Sequence, residues 1–239
     1  MMIPERLLSL ARRLRDRRHA RTDPTRNPGC SAFEVDCRQL SRFVQSRLVP
    51  RVGFQPFPAH ELLLMSAAVC RLKPKEIFEW GTNLGKSAWI FARTAQEFSI
   101  DTTVHSVDLP DEIDHAEHPR RRRGEMVRDN PRVSLHLGDG LNVSLALWRS
   151  GGCTPRPLFM IDGDHSYASV LRELTGIAEA VPDAAILLHD TFFQSSESGY
   201  NVGPDRAIVE VMERFPQRWR RIDSGLGLPG MSLLHPDLP

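Results

Sequence analysis

Five carboxylates stand, in chain order, where an apolar run gives way to a turn: Glu79, Asp108, Asp139, Asp162 and Asp190. Two histidines share these places, His165 three residues beyond Asp162 and His189 directly ahead of Asp190. One acid at such a point is unremarkable, but five in succession are hard to attribute to solvated loop tips. The residue types carry definite chemistry. An ionised carboxylate offers two acceptor oxygens and no donor, so it can take a pair of hydroxyls or an amino group. A histidine titrates near neutrality and can draw a proton from a weak nucleophile. In open α/β sheets, ligands sit at the carboxyl ends of the strands, which is where these residues would gather.

The first of these acids leads into Glu79-Trp80-Gly81-Thr82-Asn83-Leu84-Gly85-Lys86-Ser87. Ile77-Phe78 precedes it and Ala88-Trp89-Ile90-Phe91-Ala92 follows, so the order reads as strand, glycine turn, helix. Such a turn lets backbone N–H groups and a helix N-terminus meet a polar ligand with no Cβ in the way. A dinucleotide fingerprint needs glycine at the first, third and sixth positions. Here those positions hold Gly81, Asn83 and Lys86, so the fingerprint is broken. A Walker loop fails as well, because Trp80 stands where its first glycine belongs. What remains is an acid ending a strand, then Gly-x-x-x-Gly-x-Ser. Asn83 tolerates the left-handed geometry that the middle of this turn requires.

The elements that must position these residues are legible from position 75 onward. Segments 75–80, 102–107, 132–137, 157–162 and 184–189 read as strands, and 85–98, 112–129, 141–149 and 166–180 as helices. Strand and helix alternating in this way is the pattern of a parallel α/β sheet. After the fifth strand come a polar loop at 195–203, a helix at 204–215, and two strands, Trp219–Ile222 and Met231–Leu234. Gly225, Gly227, Pro229 and Gly230 fill the turn between them. That connection is too short for a crossover, so the last pair must be antiparallel. Ahead of the sheet, residues 2–20 have Leu7, Leu10 and Leu14 spaced for one face of an amphipathic helix. A linker follows, then a helix from Phe33 to Leu48 ended by Pro50, and a third from His60 to Leu72 closed by Pro74. Between the last two, Gly53–Pro58 is a rigid aromatic loop that borders the site or simply packs. The expected division is an N-terminal helical extension or lid over 1–59 and an α/β domain over 60–239.

Bulk properties narrow the function classes. A formal net charge of +1 argues against a dedicated nucleic-acid or membrane-surface protein. Cys30, Cys37, Cys70 and Cys153 form no C-x-x-C pair and read as reduced thiols of a cytoplasmic protein. No apolar run approaches the roughly 18 residues of a membrane span. Arg120-Arg121-Arg122-Arg123 has acids around it and reads as a solvated helix face. The amphipathic character of 2–20 favours a homo-oligomer.

Glu79 with Gly81, Gly85 and Ser87 resembles motif I of the class I S-adenosylmethionine (SAM) methyltransferases. Five parallel strands with a terminal antiparallel hairpin match that family's seven-stranded, Rossmann-like sheet. The run Asp162-Gly163-Asp164-His165-Ser166-Tyr167, with His189-Asp190-Thr191, resembles one branch of it. That branch holds small-molecule O-methyltransferases, including macrolide-sugar methyltransferases and relatives from cephalosporin biosynthesis. The resemblance spans about 60 to 235 and implies the following. SAM is held by Glu79, Gly81, Thr82, Asn83, Gly85, Ser87, Asp108, Asp139 and Asp162. Asp108 takes both ribose hydroxyls and Asp139 the adenine amino group. His165 is the general base for a hydroxyl of a small-molecule acceptor, a natural product or saccharide, with Asp162 beside it in the catalytic centre. Asp164 orients His165 or binds substrate, and Tyr167 packs under a helix.

In metal-using members of this branch, the residues corresponding to Asp162, His189 and Asp190 hold Mg²⁺. Here His189 departs from the pattern, since imidazole suits Mn²⁺, Fe²⁺ or Zn²⁺ better than Mg²⁺. Three readings stay open: another metal, other work for His189, or no metal. Two rival functions also stand. One is an NAD(P)-dependent oxidoreductase, against which the broken fingerprint and the terminal hairpin argue. The other is a methyltransferase-like partner protein without turnover.

Overall fold

A computed structural model describes residues 23–25, 27–113, 122–195, 197 and 202–238. The helix expected at 2–20, with the oligomer inferred from it, lies outside the described residues. So do Arg120, Arg121 and much of the 195–203 loop.

The strands are β1 (Glu76–Trp80), β2 (Thr103–Asp108), β3 (Val133–Leu137), β4 (Leu158–Ile161), β5 (Ala185–His189), β6 (Arg220–Asp223) and β7 (Met231–His235). They form one sheet in the order β3-β2-β1-β4-β5-β7-β6. The first five are parallel, and β7 lies antiparallel between β5 and β6. This is the expected Rossmann-like methyltransferase sheet. The strand order reverses between β1 and β4, and there the carboxyl ends of neighbouring strands diverge into a crevice.

The strand sequences follow from burial on both faces. Ile77, Leu158, Met160 and Leu187 enter one apolar cluster, while Phe78, Phe159, Ile161, Ile186 and Leu188 enter the other. A strand that alternates between two cores has no polar face, so β1, β4 and β5 read as unbroken apolar runs. Each such side chain stabilises the fold by roughly 1.5–3 kcal/mol relative to exposure.

The first cluster is covered by α1 (Cys37–Phe43), α2 (Val49–Val52), α3 (Ala59–Leu72) and α4 (Lys86–Glu97). The second is covered by α5 (Gly140–Ser150), α6 (Tyr167–Ala180) and α7 (Val202–Arg214). Local sequence explains several ends. Asp36 caps α1 by accepting from the N–H groups of Arg38 and Gln39, and Ser166 caps α6 through Ser169 N–H. Two expectations are corrected. Pro50 does not end the second helix. A π-helical turn, Val44–Leu48, re-phases the chain, and Pro50 falls in the first turn of α2, where a missing N–H costs nothing. The helix expected at 112–129 is absent from its described part. Residues 123–129 form turns, Gly124 is left-handed, and its N–H donates to Asn83 O at 2.8 Å instead of to its own segment.

Leu40, Phe43, Leu48 and Phe57 pack into the same cluster as Ile77 and Phe91, so the described part of the N-terminal extension is docked. Among the described residues no helix is long and apolar enough to cross a membrane. All four cysteines are free thiols.

Gly140 offers a test of the packing beneath the site. A Cβ there would lie 2.5 Å from Cγ of the buried Trp80 ring. Gly140→Ala is expected to destabilise the fold by about 1–3 kcal/mol in urea unfolding. An unchanged midpoint would show that the ring moves freely.

Candidate active site

The glycine turn leaves β1 as the motif demands. Gly81, Asn83 and Gly85 all have positive φ, at 94°, 44° and 83°. At Gly81 the reason is contact: a Cβ would stand 2.2 Å from the carbonyl oxygen of Asp162. The turn after β1 therefore lies directly on the end of β4, and their side chains line one crevice.

Beneath the turn sits Glu79, 1% exposed. Its Oε1 accepts from the Ser106 hydroxyl at 2.5 Å, and Ser106 in turn lies 2.7 Å from the hydroxyl of Thr82. Its Oε2 is buried and meets no donor among the described residues. Burial pushes this carboxyl up to about 7, against the opposing effects of the Ser106 and Ser87 hydroxyls. Thr82 and Ser87, expected at the site, are buried beside it.

Asp108 ends β2 and is buried. Its Oδ1 takes Leu109 N–H at 2.9 Å, and its Oδ2 takes Asn83 N–H at 3.3 Å and Arg123 Nε at 3.0 Å. Arg123 also reaches Asp111 and, at 2.9 Å, the carbonyl of Leu109. The solvated-face reading of the arginine run therefore fails at Arg123, although Arg122 keeps to it by pairing with exposed Glu125. Asp139 caps α5 through Asn142 N–H at 2.9 Å and pairs with Arg172 at 2.7 Å. The hydrogen bond and charge of Arg172 hold its carboxyl below the usual range, against some burial.

On the other side of the crevice, Asp162, His189 and Asp190 present ligand atoms within 4.8 Å of one another. The structure thus gathers the trio. It also adds a partner that sequence reading missed. His189 Nδ1 lies 2.9 Å from Asp162 Oδ1, and Nε2 lies 3.1 Å from Oε2 of Glu61, a fully buried acid in the first turn of α3. The other oxygen of Glu61 accepts from Gly230 N–H at 2.9 Å. Burial alone would lower the His189 value, but Asp162, Glu61 and Asp190 raise it to about 10. The Phe57 ring meets the His189 ring edge to face, with centroids 4.9 Å apart, so the 53–58 loop borders the cluster. His165 is 39% exposed at the side chain, and its Nε2 lies 3.3 Å from Asp190 Oδ2. Asp164 accepts from Ser166 N–H and from the hydroxyls of Ser166 and Ser169, tying down the start of α6. Tyr167 packs on α7, with the Arg206 guanidinium 4.7 Å above its ring.

Residues 78–191 match the family model described as a methyltransferase domain. The match covers just under half of the chain. Its fold is shared with solved O-methyltransferases of low sequence identity. One from Bacillus cereus, in complex with S-adenosylhomocysteine (SAH), is 18% identical with a TM-score of 0.54, covering 82% of this chain and 90% of that one. TomG from Streptomyces achromogenes, involved in tomaymycin synthesis and bound to SAM, is 16% identical with a TM-score of 0.54, covering 87% and 92%. CalS11, a TDP-rhamnose 3'-O-methyltransferase of calicheamicin biosynthesis, is 15% identical with a TM-score of 0.54, covering 83% and 92%. No curated protein matches the sequence.

SAM, the cofactor this fold implies, fits the residues present. Glu79 Oε2 is an acceptor lacking a donor, and the glycine turn keeps side chains out of the crevice. A divalent metal also fits the donor set, with Asp162, His189 Nδ1 and Asp190 as its holders and Glu61 facing the other ring nitrogen of His189.

Glu79 carries a pH signature. Its folded value lies above the unfolded one, so stability present near its ordinary value of 4.5 is lost as pH rises through about 7. Glu79→Gln removes this loss. The variant should gain roughly 3 kcal/mol on the parent between about pH 5 and pH 8, read as diverging melting temperatures. Parallel profiles would show that Glu79 is not held neutral.

Proposed function

We propose that the chain is a SAM-dependent O-methyltransferase acting on a hydroxyl of a small molecule, with a glycosylated or polyketide-like natural product or a saccharide as the favoured class. The observation that carries this reading is the contact of Gly81 with the Asp162 carbonyl. It sets the motif I turn against the segment bearing His165, so a cofactor-binding surface and a proton acceptor share one crevice.

Bound SAM supplies a methyl group already activated on a sulfonium. The chain's own residues do the rest. Glu79 Oε2 accepts a donor of the cofactor's polar end, Asp108 takes a diol, and Asp139 takes an amino group alongside Asn142 N–H and Arg172. Asp190 Oδ2 faces His165 Nε2, so a proton on that nitrogen is held there and Nδ1 is left as the basic atom. Nδ1 takes the proton from the acceptor hydroxyl. The crevice aligns the reacting atoms, which is the largest service a protein gives a donor that is already activated. Residues 60–239 form the catalytic domain in this reading, with 1–59 as its helical flank.

Calorimetry with SAH tests the cofactor. Micromolar binding is expected, lost in Asp108→Ala. No SAH binding, with NADH binding in its place, would return the oxidoreductase. His165→Ala should keep SAH affinity and lower methyl transfer to a hydroxyl acceptor by about 100-fold or more. SAH binding with no transfer to any hydroxyl would leave the protein a partner without turnover.

A further inference from the structure

We propose that the cavity between α3 and the turn joining β6 to β7 is a second small-molecule site, for an uncharged and mainly apolar ligand that carries one hydrogen-bonding group for His60. None of its lining residues belongs to the cofactor crevice or the strand-end cluster. The proposal therefore goes beyond the methyltransferase reading and does not depend on it.

Helical spacing builds the first wall. His60, Leu63, Leu64 and Ala67 recur at i, i+3, i+4 and i+7, so they share one face of α3. Glu61 and Met65 take the other side of the same helix, fully out of solvent. Phe33 and Val35 form a second wall, and Ile222 with the turn residue Leu226 a third. The cavity measures about 970 Å³, at the upper end of the roughly 300–1,000 Å³ of small-ligand pockets. Apolar walls alone would suit many occupants, and His60 narrows them. Its Nε2 is buried and has no hydrogen-bond partner among the described residues. Glu61 Oε1 is 3.8 Å from it and already accepts from Gly230 N–H. A buried polar atom left unmatched is costly, and a ligand group beside it removes that cost. Charge narrows the occupants further. The charged side chains of the described lining are Glu34 and Asp223, with no lysine or arginine. Arg221, which reaches Asp223 from outside the lining, is also held by Asp205. An anion would enter beside carboxylates without a counter-charge of its own, which burial penalises. A neutral aromatic or polycyclic compound with one polar group meets all three conditions.

The test uses the full chain and two fluorescent dyes with the same ring body, neutral N-phenyl-1-naphthylamine and anionic 1-anilinonaphthalene-8-sulfonate. The neutral dye should bind once per chain with a dissociation constant of about 10 μM or below. The sulfonate should bind about tenfold or more weakly. Saturating SAH should leave the neutral dye in place. Ala32→Trp adds bulk from an exposed position in the lining and should weaken the neutral dye about tenfold. His60→Phe keeps an aromatic ring without the nitrogen and should weaken it about fivefold. Binding that both variants leave intact, or that SAH displaces, would put the dye elsewhere and overturn the site. Equal affinity for the two dyes would overturn the neutral class. No dye binding by the full chain would mean that protein fills the cavity, from its own N-terminal residues or from a second copy, and would overturn the small-molecule reading. The variant and dye comparisons stand whether or not the chain binds SAH.

Discussion

A carboxyl group with no access to water must find its hydrogen-bond partners inside the protein. Glu61 meets that demand through His189 and Gly230, and the site is arranged around the result. His189 in turn fixes Asp162, and Asp162 lends its carbonyl to the close approach of Gly81. One buried ion pair thereby connects a helix ahead of the sheet, the ends of two central strands and the glycine turn. Its stability value is modest, as for most buried pairs. Its effect is to leave a single arrangement of the polar groups in an otherwise apolar core.

The division of labour across the crevice follows from burial. On the β1–β2 side, Glu79 and Asp108 are buried, and each keeps acceptor capacity toward the crevice. On the β4–β5 side, His189 is buried between Asp162 and Glu61, while His165 is the more open group and pairs with Asp190. A group that exchanges protons with a substrate must be reachable, whereas a group that holds geometry is better sealed. Of the two histidines, His165 lies in the turn after β4 and is partly exposed, whereas His189 ends β5 and is buried.

Much of this was legible in the chain. The acids at the strand ends declared themselves because a charge terminating an apolar run has few structural reasons to be there. The antiparallel hairpin followed from the shortness of its turn. Glu61 did not declare itself. It lies in the first turn of a helix, where an acid is ordinary for dipole reasons, and its role depends on a histidine 128 positions later. Arg123 was hidden differently, inside a basic run whose composition suggests solvent. Its contact with Asp108 arises because the segment folds back onto Asn83 and Leu84 through its backbone, which composition does not encode. The expected helix at 112–129 failed for the same reason. Its backbone donors, in the part described, are spent on the glycine turn.

The bond between Gly230 and Glu61 also bears on what counts as the functional unit. The matched domain, 78–191, contains both histidines and every strand-end acid, yet neither of these two residues. A fragment cut at those limits would carry His189 without its buried partner, and β5 without the neighbour that shields its outer edge. The stretch that contains every member of this polar cluster therefore runs from the start of α3 to the end of β7. The elements flanking the matched core thus help to build the polar cluster at the strand ends.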